Sequence, residues 1–204
     1  MIRIARRQVQ NIITLISLLV VTNGAFAYNT PQTVTPADPA YIIHTTLDKI
    51  TTFSSNSDKV NPTRLRGFIE NEIIPHFDFN NMSHWITGRY ADNMADKEKT
   101  DFQRNLRETF LSSLAKHLGS FDAKNTRIRF SPARYRGNDE AFVSTRIFRP
   151  DTPPMRLDFR MKRTGNDWKI IDIKANGSSA VLYYRRHFMS QLRQYQRQNP
   201  RRPY

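Results

Sequence analysis

PMRLDFRMKRTGNDWKIIDIKANGSSAVLYYRRHF, Pro154 to Phe188, changes its period twice. Met155, Leu157, Phe159 and Met161 alternate with Arg156, Asp158, Arg160 and Lys162, the pattern of a half-buried antiparallel strand. Thr164–Asp167 (TGND) has turn chemistry, so WKIIDIKA reads as the second strand of a hairpin. Asn176 and Gly177 turn the chain again, and a helix is expected from about Ser178 to Gln194. Two readings compete for the serines of this turn. A hydrolase elbow places serine between a strand and a helix as G-x-S-x-G. Here the order is Asn176, Gly177, Ser178, Ser179, Ala180, Val181, without the second glycine. The simpler reading is that Ser178 or Ser179 caps the helix by accepting from its free N–H groups.

Upstream, period-2 segments recur. Ile128 and Phe130 alternate with Arg127 and Arg129; Val143, Thr145 and Ile147 share one face, Phe142 and Phe148 the other. Before Asp122 the period is helical. Ile42, Ile43, Leu47 and Ile50 place a helix starting near Asp38. Leu65, Phe68, Ile69 and Ile73 place a second, from about Thr63 to near Pro75. A short helix follows, with Asn80, Asn81 and Ser83 as candidate caps. Asp96 to Leu118 is the strongest helix, with Phe102, Leu106, Phe110 and Leu114 in one apolar stripe. Helices first and strands second predict an α+β fold: N-terminal helices packed on an antiparallel four-stranded meander, closed by a C-terminal helix, with a cavity between the layers.

The N-terminus has a different chemistry. MIRIARRQVQ carries Arg3, Arg6 and Arg7 and no acid; NIITLISLLVV is apolar; Ala25 and Ala27 have the small-x-small spacing of a signal-peptidase site. The run is shorter than the roughly 20 apolar residues of a bilayer span. A cleaved signal peptide over 1–27 is expected, cut after Ala27, then a Pro- and Thr-rich linker over 28–39, one domain over 40–196 and a basic tail over 197–204. Cysteine is absent, which excludes disulfides, thiol catalysis, thiolate metal sites and lipobox acylation. Export without disulfides indicates the bacterial periplasm. The formal charge is +14, and +11 once the leader arginines are removed. In a cytoplasmic chain this would indicate nucleic-acid binding; in an exported one the available polyanions are anionic lipid head groups and acidic protein surfaces, and no nucleic-acid partner is expected. The last twenty residues hold six arginines and no acid, a solvated helix end and tail or an electrostatic contact to such a surface.

Catalytic and metal signals are weak. The histidines His44, His76, His84, His117 and His187 are scattered. His76, Asp78 and His84 form the one set to weigh for zinc, and their spacing matches no recurrent motif. Neither a metal site nor a catalytic residue is expected. The many aromatics near the helix junction and the sheet fit a filled core as well as a hollow one.

Several segments together resemble a known family. IIPHFDFNNMSHWITGRY (Ile73–Tyr90) resembles the "I-L-P-x-x-D-F-x-x-M-S-x-x-x-L-G-x-Y" segment of the MlaC-like, or toluene-tolerance, proteins. DKEKTDFQRNLRETFLSSL is similar to that family's "Q-R-x-x-F-x-x-x-F-x-x-x-L" helix. The closing order resembles it too: a basic hairpin, W-K-[VI]-x-D at Trp168 and Asp172, G-x-S at Gly177 and Ser179, and Y-R-x-x-F at Tyr184, Arg185 and Phe188. The resemblance spans about Ile42 to Leu192. Ala91, where the family often has a bulky aromatic, and the QRQNPRRPY ending depart from it.

The resemblance implies a periplasmic carrier without a cofactor, holding phospholipid as cargo and exchanging it with an inner-membrane ABC transporter complex and an outer-membrane lipoprotein complex, so maintaining outer-membrane lipid asymmetry. It implies an apolar cavity lined by Phe77, Phe79, Trp85, Ile86, Tyr90, Phe110, Leu114, Phe142, Leu157, Phe159, Trp168, Val181, Tyr184 and Phe188, with Arg185 at its mouth. A monomer is expected. The alternative is a small periplasmic enzyme on a cone-shaped α+β fold, using an Asp/His pair such as Asp172 with a histidine on an apolar substrate. A third is an adhesion or assembly module with a filled core and an exposed apolar patch.

Overall fold

The computed structural model describes residues 38–56, 61–119 and 121–198. The expected leader, most of the linker and the end of the basic tail lie outside the described residues. α1 (Pro39–Ser55) starts where Asp38 accepts from Ala40 N at 2.7 Å and Pro39 occupies the first turn. α2 (Pro62–Phe68) is capped by Asn61, and continues as a π-helical turn (Ile69–Ile73) and a 3-10 turn (Ile74–His76). The wider π turn brings Ile69, Ile73 and Ile74 all into the core. α3 (Phe79–Thr87) is capped by Asp78, which accepts from Asn81 N at 2.9 Å. The expected caps Asn80, Asn81 and Ser83 lie inside the helix instead, because the cap must precede its first turn. A 3-10 stretch (Gly88–Asn93) leads to α4 (Asp96–Leu118), whose Leu106 and Phe110 are buried and whose Phe102 and Leu114 pack against the core.

The sheet has six strands, not the expected four: β1 (Arg127–Phe130), β2 (Arg134–Arg136), β3 (Glu140–Arg149), β4 (Thr152–Thr164), β5 (Asp167–Ala175) and β6 (Ser178–Ser179). All pairings are antiparallel, in the order β1-β3-β4-β5-β6, with β2 sharing β1's edge of β3. β2 and β6 span three and two residues, too few for alternation to register in sequence. Pro132, which has no N–H to donate, separates β1 from β2. Between β4 and β5 the register shifts: Arg160 faces Asp172 while Met161 faces Ile170. Ile171 is the extra residue, and the bulge lets Ile170 and Ile171 both be buried. The far edge of β5 is closed by Phe77, bridged to Ile170, with Asp78 N donating to Ile170 O at 3.0 Å.

Alternation divides the sheet cleanly. Ala141, Val143, Thr145 and Ile147 of β3 and Phe159 and Met161 of β4 are buried, and most of them join one cluster with Ile43, Leu47, Ile69, Leu106 and Leu111 of the helices. The opposite face carries Phe142, Ser144, Arg146 and Phe148 of β3. α5 (Ala180–Gln198) folds back along β5, so that Asp172 is buried under its first turn and the helices are not confined to one face.

Candidate functional site

The turn of the opening stretch resolves into a cap. Ser179 Oγ donates to Asp172 Oδ2 at 2.7 Å and accepts from Leu182 N at 3.1 Å. Asp172 Oδ1 accepts from Val181 N at 3.1 Å. Both oxygens of the carboxylate and the serine hydroxyl therefore serve the first turn of α5. Ser178 pairs with Ala175 as part of β6. A negative charge at a helix N-terminus is favourable, which gives the buried aspartate a structural function.

The residues implied as a lipid lining fall into three groups. Phe77, Phe79 and Phe110 touch one another, with ring centroids 4.7–5.8 Å apart. Phe77 and Phe79 floor an open groove of about 670 Å³, rimmed by Arg104, Arg107 and Lys169. His76 lies beside it, half-buried, and its pKa is lowered by burial first and then by the charges of Lys169 and Lys49. The second group joins α5 to α3 and α4. Phe188 meets Tyr90 at 5.5 Å and Phe102 at 5.3 Å, and Tyr184 packs against the core. Arg185 Nη1 donates to Trp85 O at 2.6 Å, which closes the end of α3. Gly88 follows there at φ +56°; a Cβ would lie 3.1 Å from the Arg185 guanidinium, so the turn and the contact both require glycine. The third group is the core itself: Ile86, Phe159, Trp168 and Val181 are buried, while Leu114 and Leu157 pack partly buried against it.

Two residues lie apart. Trp85 is 47% exposed, with the Arg160 guanidinium 4.8 Å over its ring. Phe142 lies on the outer face, paired across strands with Arg160 and Arg134. Arg185, the residue expected at the cavity mouth, has one guanidinium nitrogen engaged at the end of α3. Between the layers the buried apolar residues form one cluster. The described open volumes, about 670 and 420 Å³, lie along α3 and α4. Among the described residues one buried side-chain polar atom is stranded: Thr145 Oγ1, on a residue 0% exposed, has no hydrogen-bond partner. Its neighbours across the strands, Phe130 and Leu157, are only partly buried, and His44 of α1 stacks on the Phe130 ring at 4.0 Å.

Residues 43–199 match the family model described as "MlaC protein". This chain belongs to the MlaC family. Among solved structures it is similar to the phospholipid-binding protein from Ralstonia solanacearum, in complex with a phospholipid, with a TM-score of 0.67 and 18% identity, covering 75% of this chain and 86% of that one. At that identity the likeness shows the fold. A comparison with curated protein sequences gives no match.

For this MlaC-family chain, His76, Asp78 and His84 do not converge. Asp78 is engaged with Asn81 N and Asn81 Nδ2, and His84 is exposed on α3. Among the described residues no group of three or more His, Cys, Asp or Glu is placed to hold a metal, and no helix is long and apolar enough to cross a membrane. Sequence reasoning missed Thr145 as a polar atom in the core, although its place between Val143 and Ile147 assigns it the buried face. It also missed Arg160 beneath Trp85, which no local spacing reveals.

Proposed function

We propose that this chain is a periplasmic carrier that takes phospholipid acyl chains between its helices and the inner face of its sheet, and passes lipid between inner- and outer-membrane complexes. Membership of the MlaC family and a fold shared with a phospholipid-bound protein support it. The observation that carries it is the interlayer surface: apolar on both sides, only partly buried at Leu157 and Phe130, and lined by hydrocarbon and aromatic groups. Acyl chains entering there gain about 0.8 kcal/mol per buried methylene. Acyl chains lying there displace contacts within this buried cluster, so cargo transfer couples to movement of helices against sheet. Asp172, which an enzymatic Asp/His pair would use, has both oxygens engaged by the cap, and this favours a binding role over a catalytic one. The family resemblance supports the two membrane complexes as partners.

The test is native mass spectrometry of the chain exported to and purified from a bacterial periplasm. Discrete adducts of phospholipid mass are expected. A clean apo mass from fully folded protein would sink the proposal.

A further inference from the structure

The outer face of the sheet carries a row of like charges that only the strand register reveals. Arg129 of β1 faces Arg146 of β3, and Arg146 faces Arg156 of β4. Directly opposite residues hold their Cβ atoms on the order of 5 Å apart, and like charges there repel. In the next row Arg127 faces Phe148, and the guanidinium groups of Arg127 and Arg129 stand 5.5 and 5.2 Å from that ring. All four arginines are exposed.

Of this row, the face's own acids pair with Arg156 alone. Asp158 binds Ser144 Oγ and Arg156 Nε at 2.8 Å; Glu140 binds Arg160 and Arg136. Among the described residues no carboxylate pairs with Arg127, Arg129 or Arg146. Nor does the row line either described depression, as a site for one small anion would. It is an open, extended surface of forked donors, each suited to a phosphate, around a half-covered aromatic ring. Many phosphates spread over a plane match it; a single anion does not.

We propose that this outer sheet face docks the protein onto the surface of an anionic phospholipid bilayer, with the Arg129–Arg146–Arg156 row on the head-group phosphates. The inference stands apart from what the core carries, because these residues point away from it. It also assigns the strong positive charge of the chain a location on the folded domain.

Vesicle flotation tests it, using the exported, purified chain with vesicles of phosphatidylglycerol in phosphatidylcholine, and of phosphatidylcholine alone. Arg127→Gln/Arg129→Gln/Arg146→Gln removes three charges, none of which holds a carboxylate, so every described ion pair survives. Lys97→Gln/Lys99→Gln/Lys116→Gln removes the same charge from α4. The wild type is expected to float with phosphatidylglycerol vesicles and to be released by high salt. At about fivefold per charge, the sheet variant should bind on the order of a hundredfold more weakly, at an unchanged or higher Tm. The α4 variant should stay close to wild type. Equal losses in the two variants would mean that net charge alone acts, and would overturn the proposal. A wild type that ignores anionic vesicles would overturn it too, leaving an acidic protein as the occupant of the face.

Discussion

Ser179 and Asp172 close the first turn of α5 between them, Oγ to Oδ2 at 2.7 Å, while the other carboxylate oxygen takes Val181 N. The pair is buried, so the Ser179 hydroxyl has Asp172 as its acceptor in place of water. Asp172→Ala leaves a hydroxyl and an amide without their acceptor and should lower stability by about 2–4 kcal/mol. Ser179→Ala loses the cap bond from Leu182 N and the bond donated to Asp172, and should lower it by about 1–2 kcal/mol. Urea unfolding of both variants checks the order. A Ser179→Ala protein of full stability that lost a hydrolytic activity would restore the nucleophile reading.

Thr145→Val should go the other way. The hydroxyl of Thr145 is fully buried and has no partner, whereas valine offers a methyl of the same shape. Removing a stranded polar group relieves its desolvation, by about 1 kcal/mol, and should raise Tm by about 2–4 °C. Thr145→Ser keeps the hydroxyl, loses the methyl and should lower Tm. A lower Tm for the valine variant would show that the hydroxyl finds a partner in solution.

Much of this fold is legible in the sequence, and the limits have physical causes. Alternation in β4 and the stripe of Leu106 and Phe110 in α4 report burial on one side of a long element, and both lie as that pattern requires. β2 and β6 are too short to show a period, and the π turn after Phe68 keeps the helical spacing of apolar residues while adding a residue to the turn. The site was less legible, because it depends on pairing. Phe142 qualifies as a lining residue by its aromatic type, yet its alternation with Val143 sends it to the opposite face. The arginine row is invisible in one dimension: Arg129, Arg146 and Arg156 belong to three strands, and only register sets them side by side.

His76 should make stability pH-dependent in a narrow window. Its pKa is lowered by burial first, then by Lys169 and Lys49. The folded state therefore takes up its proton less readily than the unfolded chain. Its contribution to stability is present above about pH 6.5 and is lost as pH falls through that value, at no more than about 1.4 kcal/mol per pH unit. The carboxylates held low, Asp101, Glu108, Asp122 and Asp158, titrate well below this window. Urea midpoints at pH 7.5 and 5.5 should differ in the wild type and differ less in His76→Gln. An equal fall in both would remove His76 as the cause.

Leu157→Arg tests the inner face of the sheet as the wall that acyl chains meet. Leu157 lies directly opposite Thr145 and is partly buried against the core. An arginine there can bring its head group to water along its own stem, so the fold should survive with a modest loss of stability. Acyl chains cannot lie against that charge without stripping its water, a penalty of several kcal/mol. Native mass spectra should then show phospholipid adducts reduced at least tenfold in a variant whose circular dichroism matches wild type. Undiminished adducts in that folded variant would move the lipid away from this face, leaving the groove floored by Phe77 and Phe79 as the place to map next.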